Sequence, residues 1–433
     1  MPRLDSLEER ANDLERQLAA STFHFDEYKR HIPWQAVQAK LGKTDVAIEF
    51  GHFTLLDRKE DTDSVLYVAF LLTADQPPVQ IPLFEEKEIG NIKASRKLYA
   101  VTSKTRKQHL KNLIWQPLSA YLANKDKIYF SPSGILHRIN FGAIPVDESS
   151  TIAEKFELHQ LSSTGQLVNQ QKSKITIKHA TIYGGIQYDG QETFQSQPTK
   201  KVATRRRALS ETYKGGNWDY LAYTKAEVKA IQELLEKEDI TVELKQQKEA
   251  SEADFKQLGK ARVAPDLLHL ATHAYFYPKP KSNAATGFKA SKNPLIRTGI
   301  ILAGANAAWQ GASVAKGEED GILTAYEIAQ MDLSNTNLVV LSACETGLGN
   351  IAENEGVYGL QRAFKIAGAN YILMSLWSVD DKKTYEFMTR FYELWQKEHK
   401  TIPEAYQLTQ NEMKRKYQHP FNPNAWAGFV LME

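Results

Sequence analysis

The chain has 433 residues, a length that fits about three domain-sized units, and its 42% hydrophobic and 24% charged content excludes a wholly disordered chain. Its 54 basic and 52 acidic residues nearly cancel, so no global field directs it to nucleic acid or to an anionic membrane. The longest apolar run, Val65 to Leu72, is far short of the ~20 residues of a spanning helix, and the N-terminal MPRLDSLEER has no apolar signal core; the expectation is a soluble, cytoplasmic protein.

Along the chain, Leu4, Leu7, Ala11, Leu14 and Leu18 recur at spacings of three and four, which predicts an amphipathic helix within an N-terminal helical segment, 1–40. Residues 45–53 and 64–72 read as strands separated by a polar turn, Asp57 to Asp63. A basic helical region, 97–124, precedes a strand over 127–134. These elements make a first α/β unit, 41–172, whose histidines (His52, His109, His137, His159) have no metal-ligand spacing and are assigned a structural role.

A second α/β series fills 173–433. Strands are expected at 175–186, 241–244, 266–272, 338–341 and 371–377. Helices are expected at 224–237, 252–258, 323–331, 356–367 and 382–398, with a long irregular insertion from Tyr277 to Asp320. This alternation predicts an α/β fold, a mostly parallel sheet with helices on both faces.

Cys344 is the single cysteine, which excludes an internal disulfide and any Cys-pair zinc site. A lone thiol is most simply a small buried hydrophobe. Its context points elsewhere. The apolar run Leu338 to Leu341 reads as a strand buried on both faces, and small residues, the thiol, Gly347 and Gly349 follow it. Cys344 therefore falls just past the C-terminal edge of a central parallel strand, where chemistry collects in open α/β sheets.

A thiol of pKa ≈ 8.5 needs a base to be nucleophilic near neutrality. His273 ends the preceding predicted strand, so its imidazole and the thiol can face each other across one sheet edge. His269 and His273 cannot share a metal, because residues four apart in a strand are ~13 Å apart. His269 is expected to be a structural, hydrogen-bonded histidine. Asn350 stands where a cysteine phosphatase needs arginine, and no GxxxxGK[ST] is present, so neither phosphate chemistry nor ATP is implied.

The segments His269-Leu-Ala-Thr-His273, Leu341-Ser-Ala-Cys344-Glu-Thr-Gly347, Gly359-Leu-Gln-Arg-Ala-Phe364, Ala367-Gly-Ala369, Ser375-Leu-Trp377-Ser-Val-Asp-Asp381 and Trp426-Ala-Gly-Phe429 together resemble the CHAT domain. This is a caspase-like cysteine peptidase domain commonly attached to tetratricopeptide helical repeats. The resemblance runs from about residue 40 to near the C-terminus. It implies a caspase-like fold in which the first unit is a catalytically silent, pseudo-peptidase half. It implies His273 as general base, Cys344 as nucleophile, and the backbone N–H groups of Ala274 and Cys344 as the oxyanion hole. The family usually has glycine where this chain has Ala274; a positive φ there would strain alanine by about 1 kcal/mol. The substrate pocket would draw on Ser342, Trp377 and Asp380, although Asp380 equally suits a helix N-cap.

The implied partners are a protein or peptide substrate and an activating protein or upstream helical repeats. No cofactor, metal, nucleic acid or membrane is expected. The alternative is a CHAT-type scaffold that binds protein partners without turnover. The basic stretch Lys200 to Arg207 reads as a solvated loop, with self-cleavage or contact with an acidic partner as the other readings.

Overall fold

A computed structural model describes residues 32–57, 60–89, 108–169, 175–189, 217–277, 291, 293–315, 317–342, 350–352, 356–377, 379–417 and 426–433. The expected N-terminal helix, the start of the basic helical region, the 200–207 stretch and Cys344 lie outside these residues.

The strands are β1 (Asp45–Asp57), β2 (Glu60–Thr73), β3 (Val79–Glu85), β4 (Lys127–Ser131), β5 (Glu157–Gln160), β6 (His179–Ile186), β7 (Thr241–Gln247), β8 (Leu267–Leu270), β9 (His273–Phe276), β10 (Thr298–Ile301), β11 (Ile322–Thr324), β12 (Leu338–Leu341), β13 (Asn350–Ala352), β14 (Gly356–Tyr358), β15 (Tyr371–Ser375) and β16 (Phe429–Met432). Eleven of them form one sheet in the order β3-β2-β1-β4-β5-β16-β15-β12-β8-β6-β7. Strands β1, β4, β5 and β16 run parallel, as do β15, β12, β8, β6 and β7; the two blocks meet antiparallel at β15–β16. The sheet is thus mostly parallel, but its two halves point in opposite directions. Only the second block carries the C-terminal edge that leads to His273 and Cys344.

Five helices matter for the site: α1 (Ala222–Lys237), α2 (Ala305–Trp309), α3 (Leu360–Ile366), α4 (Asp381–Tyr392) and α5 (Ile402–Lys416). Strands β8 and β12, LLHL and LVVL, are buried at every position, as central parallel strands covered on both faces must be. Helix α1 buries Val228, Ile231 and Leu235 against β6 and β7, and α4 packs on α1. Ile182, His269, Val340 and Leu373 share a register row and face these helices; the next row, Tyr183, Leu270, Leu341 and Met374, faces the opposite side. No helix among the described residues is long and apolar enough to cross a membrane.

Several expected boundaries shift. The expected turn at 57–63 is largely strand, because β1 and β2 pair as far as Asp57 with Glu60. The insertion from Tyr277 to Asp320 is not irregular throughout: it holds β10 and α2, and β9, β10 and β11 form a separate three-stranded antiparallel sheet. The expected helices at 323 and 356 begin instead as the strands β11 and β14. Residues 402–416 form α5, which carries a Thr401–Glu404 capping box, an N-terminal signature visible in the sequence.

Candidate active site

His273 opens β9, three residues beyond the last paired residue of β8. Leu270 of β8 pairs with Leu341 of β12, which pairs with Met374 of β15. Counting three residues forward from this row gives His273, Cys344 and Trp377. Neighbouring strands lie ≈ 4.8 Å apart, so chains leaving three adjacent strands at one level begin within side-chain reach of each other.

The imidazole of His273 is held on several sides. Its Nε2 lies 2.8 Å from the carbonyl oxygen of Asp219. The Trp218 ring packs against it at 4.9 Å between centroids and the Tyr188 ring at 5.0 Å. Tyr188 is fixed in turn: its hydroxyl lies 3.0 Å from Oγ1 of Thr272, which donates to the Ile301 carbonyl at 2.5 Å. A carbonyl can only accept, so Nε2 carries the proton and, in the neutral ring, Nδ1 carries the basic lone pair.

Ala274 lies in β9 opposite Ile300, is buried, and is not among the residues of positive φ, so the strain expected for alanine there does not arise. Three ladder positions further along, Tyr277 with Arg297 is hydrogen-bonded (N to O, 2.8 Å). Pairs alternate along an antiparallel ladder, so Ala274 with Ile300 is a non-bonded pair, and the Ala274 N–H points away from β10. β9 is the edge strand of its sheet, so this N–H faces the open edge.

Ser342 follows β12 directly and is fully buried. Trp377 is buried against Gly428, where an added Cβ would come 3.2 Å from its Nε1. The Asp380 carboxylate accepts from the Lys383 N–H at 3.3 Å and caps α4, which is the capping role open to it from sequence. His269 is fully buried, with Nε2 3.1 Å from Glu227 Oε1 and Nδ1 3.1 Å from the Tyr392 hydroxyl, the structural, hydrogen-bonded role expected of it.

One carboxylate group with metal-site spacing occurs among the described residues, Glu252, Glu319 and Glu327. The Lys256 ammonium already lies among them at 2.7, 2.6 and 2.7 Å, and takes the place a cation would need.

Sequence reasoning missed the residues around His273: Tyr188, Trp218, Asp219 and Asn306. Trp218 was the available signal, a large aromatic closing a long polar segment and so marked for burial. Asn306 has no such mark.

The geometry defines an α/β protein with a histidine at the C-terminal edge of a parallel block, three residues past Leu270, as Cys344 is three residues past Leu341 in the sequence. The family model for the CHAT domain matches residues 104–433, and the chain belongs to that family. A tetratricopeptide repeat protein 28 from Mus musculus is 33% identical over 114 residues, and that of Homo sapiens 32% over 114 residues. The stretch is 26% of this chain and 4% of either relative, so the chain spans a small fraction of their length. Among solved structures, separase of Saccharomyces cerevisiae in complex with securin is similar with a TM-score of 0.50 at 8% identity, over 92% of this chain and 30% of that one. The Arg-specific cysteine proteinase gingipain R is similar with a TM-score of 0.42 at 10% identity, over 76% of this chain and 68% of that one. The likeness to separase is one of fold.

Proposed function

We propose that this chain is a cysteine endopeptidase in which His273 and Cys344 form the catalytic dyad. The observation that carries the reading is the register: both residues leave hydrogen-bonded neighbouring strands three positions past the paired ends Leu270 and Leu341. A scaffold needs neither a thiol nor a base held at matched positions.

In this mechanism Nδ1 of His273 takes the Cys344 proton, and the thiolate attacks the peptide carbonyl carbon. The tetrahedral oxyanion meets the N–H groups of Ala274 and Cys344, and donors of this kind are worth about 2.7–4 kcal/mol each. The imidazolium gives its proton to the leaving amine, and water then hydrolyses the thioester. The Asp219 carbonyl stabilises the imidazolium through Nε2–H and fixes the tautomer that leaves Nδ1 as the base. Ser342 and Trp377 are assigned to the floor of the substrate pocket, and Asp380 to its rim. Control by an upstream helical partner, in a reducing cytoplasm that keeps the thiol free, belongs to the same reading.

The test is cleavage of a proteome-derived peptide pool, with new termini read by mass spectrometry, beside Cys344→Ala. Iodoacetamide alkylation at neutral pH is followed in parent and His273→Ala. We expect new termini that vanish in Cys344→Ala, and alkylation that slows at least tenfold without the histidine. Equal alkylation rates in parent and His273→Ala would overturn the dyad.

A further inference from the structure

Residues 217–220 lie outside the named strands, and they deliver the carbonyl that orients His273. One side chain holds the Trp218 backbone on both of its polar groups. Asn306, on α2 and 3% exposed, accepts from the Trp218 N–H through Oδ1 at 2.8 Å and donates from Nδ2 to the Trp218 carbonyl at 3.2 Å. That exchange reproduces a hydrogen-bonded pair of an antiparallel ladder. Nδ2 also donates to Asp189 Oδ1 at 2.7 Å, and the Asn306 backbone N–H donates to the Tyr188 carbonyl at 3.0 Å. One buried residue therefore fastens both segments that touch His273: the 187–189 segment, with the Tyr188 ring, and the 217–219 segment, with the Trp218 ring and the Asp219 carbonyl.

We propose that Asn306 is the positioning residue of this site: by gripping the backbone of Trp218 it holds the Asp219 carbonyl on His273 Nε2 and so selects the tautomer with the basic lone pair on Nδ1. Only the catalytic consequence rests on the peptidase reading; the orientation of the imidazole does not. No other amino acid of this size presents an acceptor and a two-hydrogen donor on one planar group. Alanine would leave a buried N–H and a buried carbonyl of Trp218 without this partner, and the Asp219 carbonyl would lose its fixed direction. Asn306 touches neither the thiol nor a substrate in this account; it acts through Asp219.

The test uses protein with 15N-labelled imidazoles, in which His273 is assigned by its absence in His273→Gln. In the parent, neutral His273 is expected as the Nε2–H tautomer. In Asn306→Ala it is expected as a mixture, and Cys344 alkylation at neutral pH is expected to fall about tenfold, its pH profile moving toward that of an ordinary thiol. Asn306→Asp, which keeps shape and acceptor but loses the donor and faces Asp189 with a second carboxylate, is read in the same way and serves if alanine does not fold. A folded variant with unchanged tautomer and unchanged pH profile, merely less stable, would overturn the assignment. If the tautomer shifts while parent alkylation never depended on His273, positioning stands and the peptidase reading falls. If alkylation depends on His273 but neither variant alters tautomer or profile, the peptidase reading stands and Asn306 falls.

Discussion

His269 and His273 are four residues apart and do opposite things, because the strand ends between them. His269 points into the interface of β8 with α1 and α4, where Glu227 and Tyr392 occupy its two nitrogens. Burial raises the Tyr392 hydroxyl well above its usual range, so it stays protonated and donates to Nδ1; Nε2–H is then left to donate to Glu227. Glu227 Oε2 has no partner among the described residues. The expected consequence is asymmetric. His269→Leu leaves the buried Glu227 carboxyl group and Tyr392 hydroxyl without this partner and should cost about 1–3 kcal/mol, whereas Glu227→Gln, which keeps a polar partner for His269, should stay within about 1 kcal/mol of the parent. Urea melts of the two variants check this, and equal losses would mean that the Nε2–H···Glu227 hydrogen bond is not what His269 contributes. His269 as a structural residue was legible from sequence, since strand geometry alone excludes a shared metal. Asn306 was not, because its role depends on a backbone segment outside the strands, which no periodicity announces.

Between elements, close approach depends on residues too small to be noticed in a hydrophobic pattern. Gly184 lies on β6 under α1, and a Cβ there would come 2.4 Å from Val228 Cγ1 and 3.2 Å from the Thr224 carbonyl. Thr224 also accepts the Gly185 N–H through Oγ1 at 3.1 Å, so α1 cannot retreat without breaking that bond. Gly184→Ala is therefore expected to cost about 1–3 kcal/mol by overpacking. Gly51→Ala, whose Cβ meets Val68 and Phe70 at an ordinary 3.5 and 3.6 Å, is expected to change stability by less than about 1 kcal/mol. Paired thermal melts decide it, and similar shifts would show that the β6–α1 contact has slack. The buried strands β8 and β12 were legible because continuous apolar runs leave few alternatives. The three-stranded sheet was not. Its strands are three or four residues long, β10 lies within the insertion and β9 and β11 flank it, and the pairing of β9 with β10 joins segments separated by more than twenty residues. The candidate site was therefore half readable: the place of His273 just past a strand end follows from the sequence, while the groups that orient it come from pairings no local pattern encodes.

At the scale of the whole molecule, the two opposed blocks are joined by β16, which runs antiparallel to β15 and meets β5 through Met432 and Gln160. Asn140, far away in sequence, donates to the carbonyls of Ala427 and Phe429 at 3.0 Å each, and Tyr406 donates to Phe429 at 2.7 Å. Next to this seam lies a charge cluster. His159 of β5 is buried, with Nδ1 2.5 Å from Glu433 Oε1 and Nε2 2.7 Å from Glu157 Oε1; Lys127 reaches Glu157 at 2.9 Å. Burial alone would push the His159 imidazole down, but hydrogen bonds and charge from Glu157 and Glu433 outweigh it and hold the group up at about 9. The folded pKa thus lies above the unfolded value of about 6.5. Stabilisation from the protonated ring is then fully present below about pH 6.5 and is lost as pH rises through about 9, and for so buried a group it is on the order of 2–3 kcal/mol. His159→Gln should open a stability gap from the parent that is widest near pH 6 and narrows toward pH 10. Chemical denaturation across that range measures it, and a gap that stays constant with pH would mean that His159 ties β5 to Glu433 as a neutral hydrogen-bonding group and not as a cation.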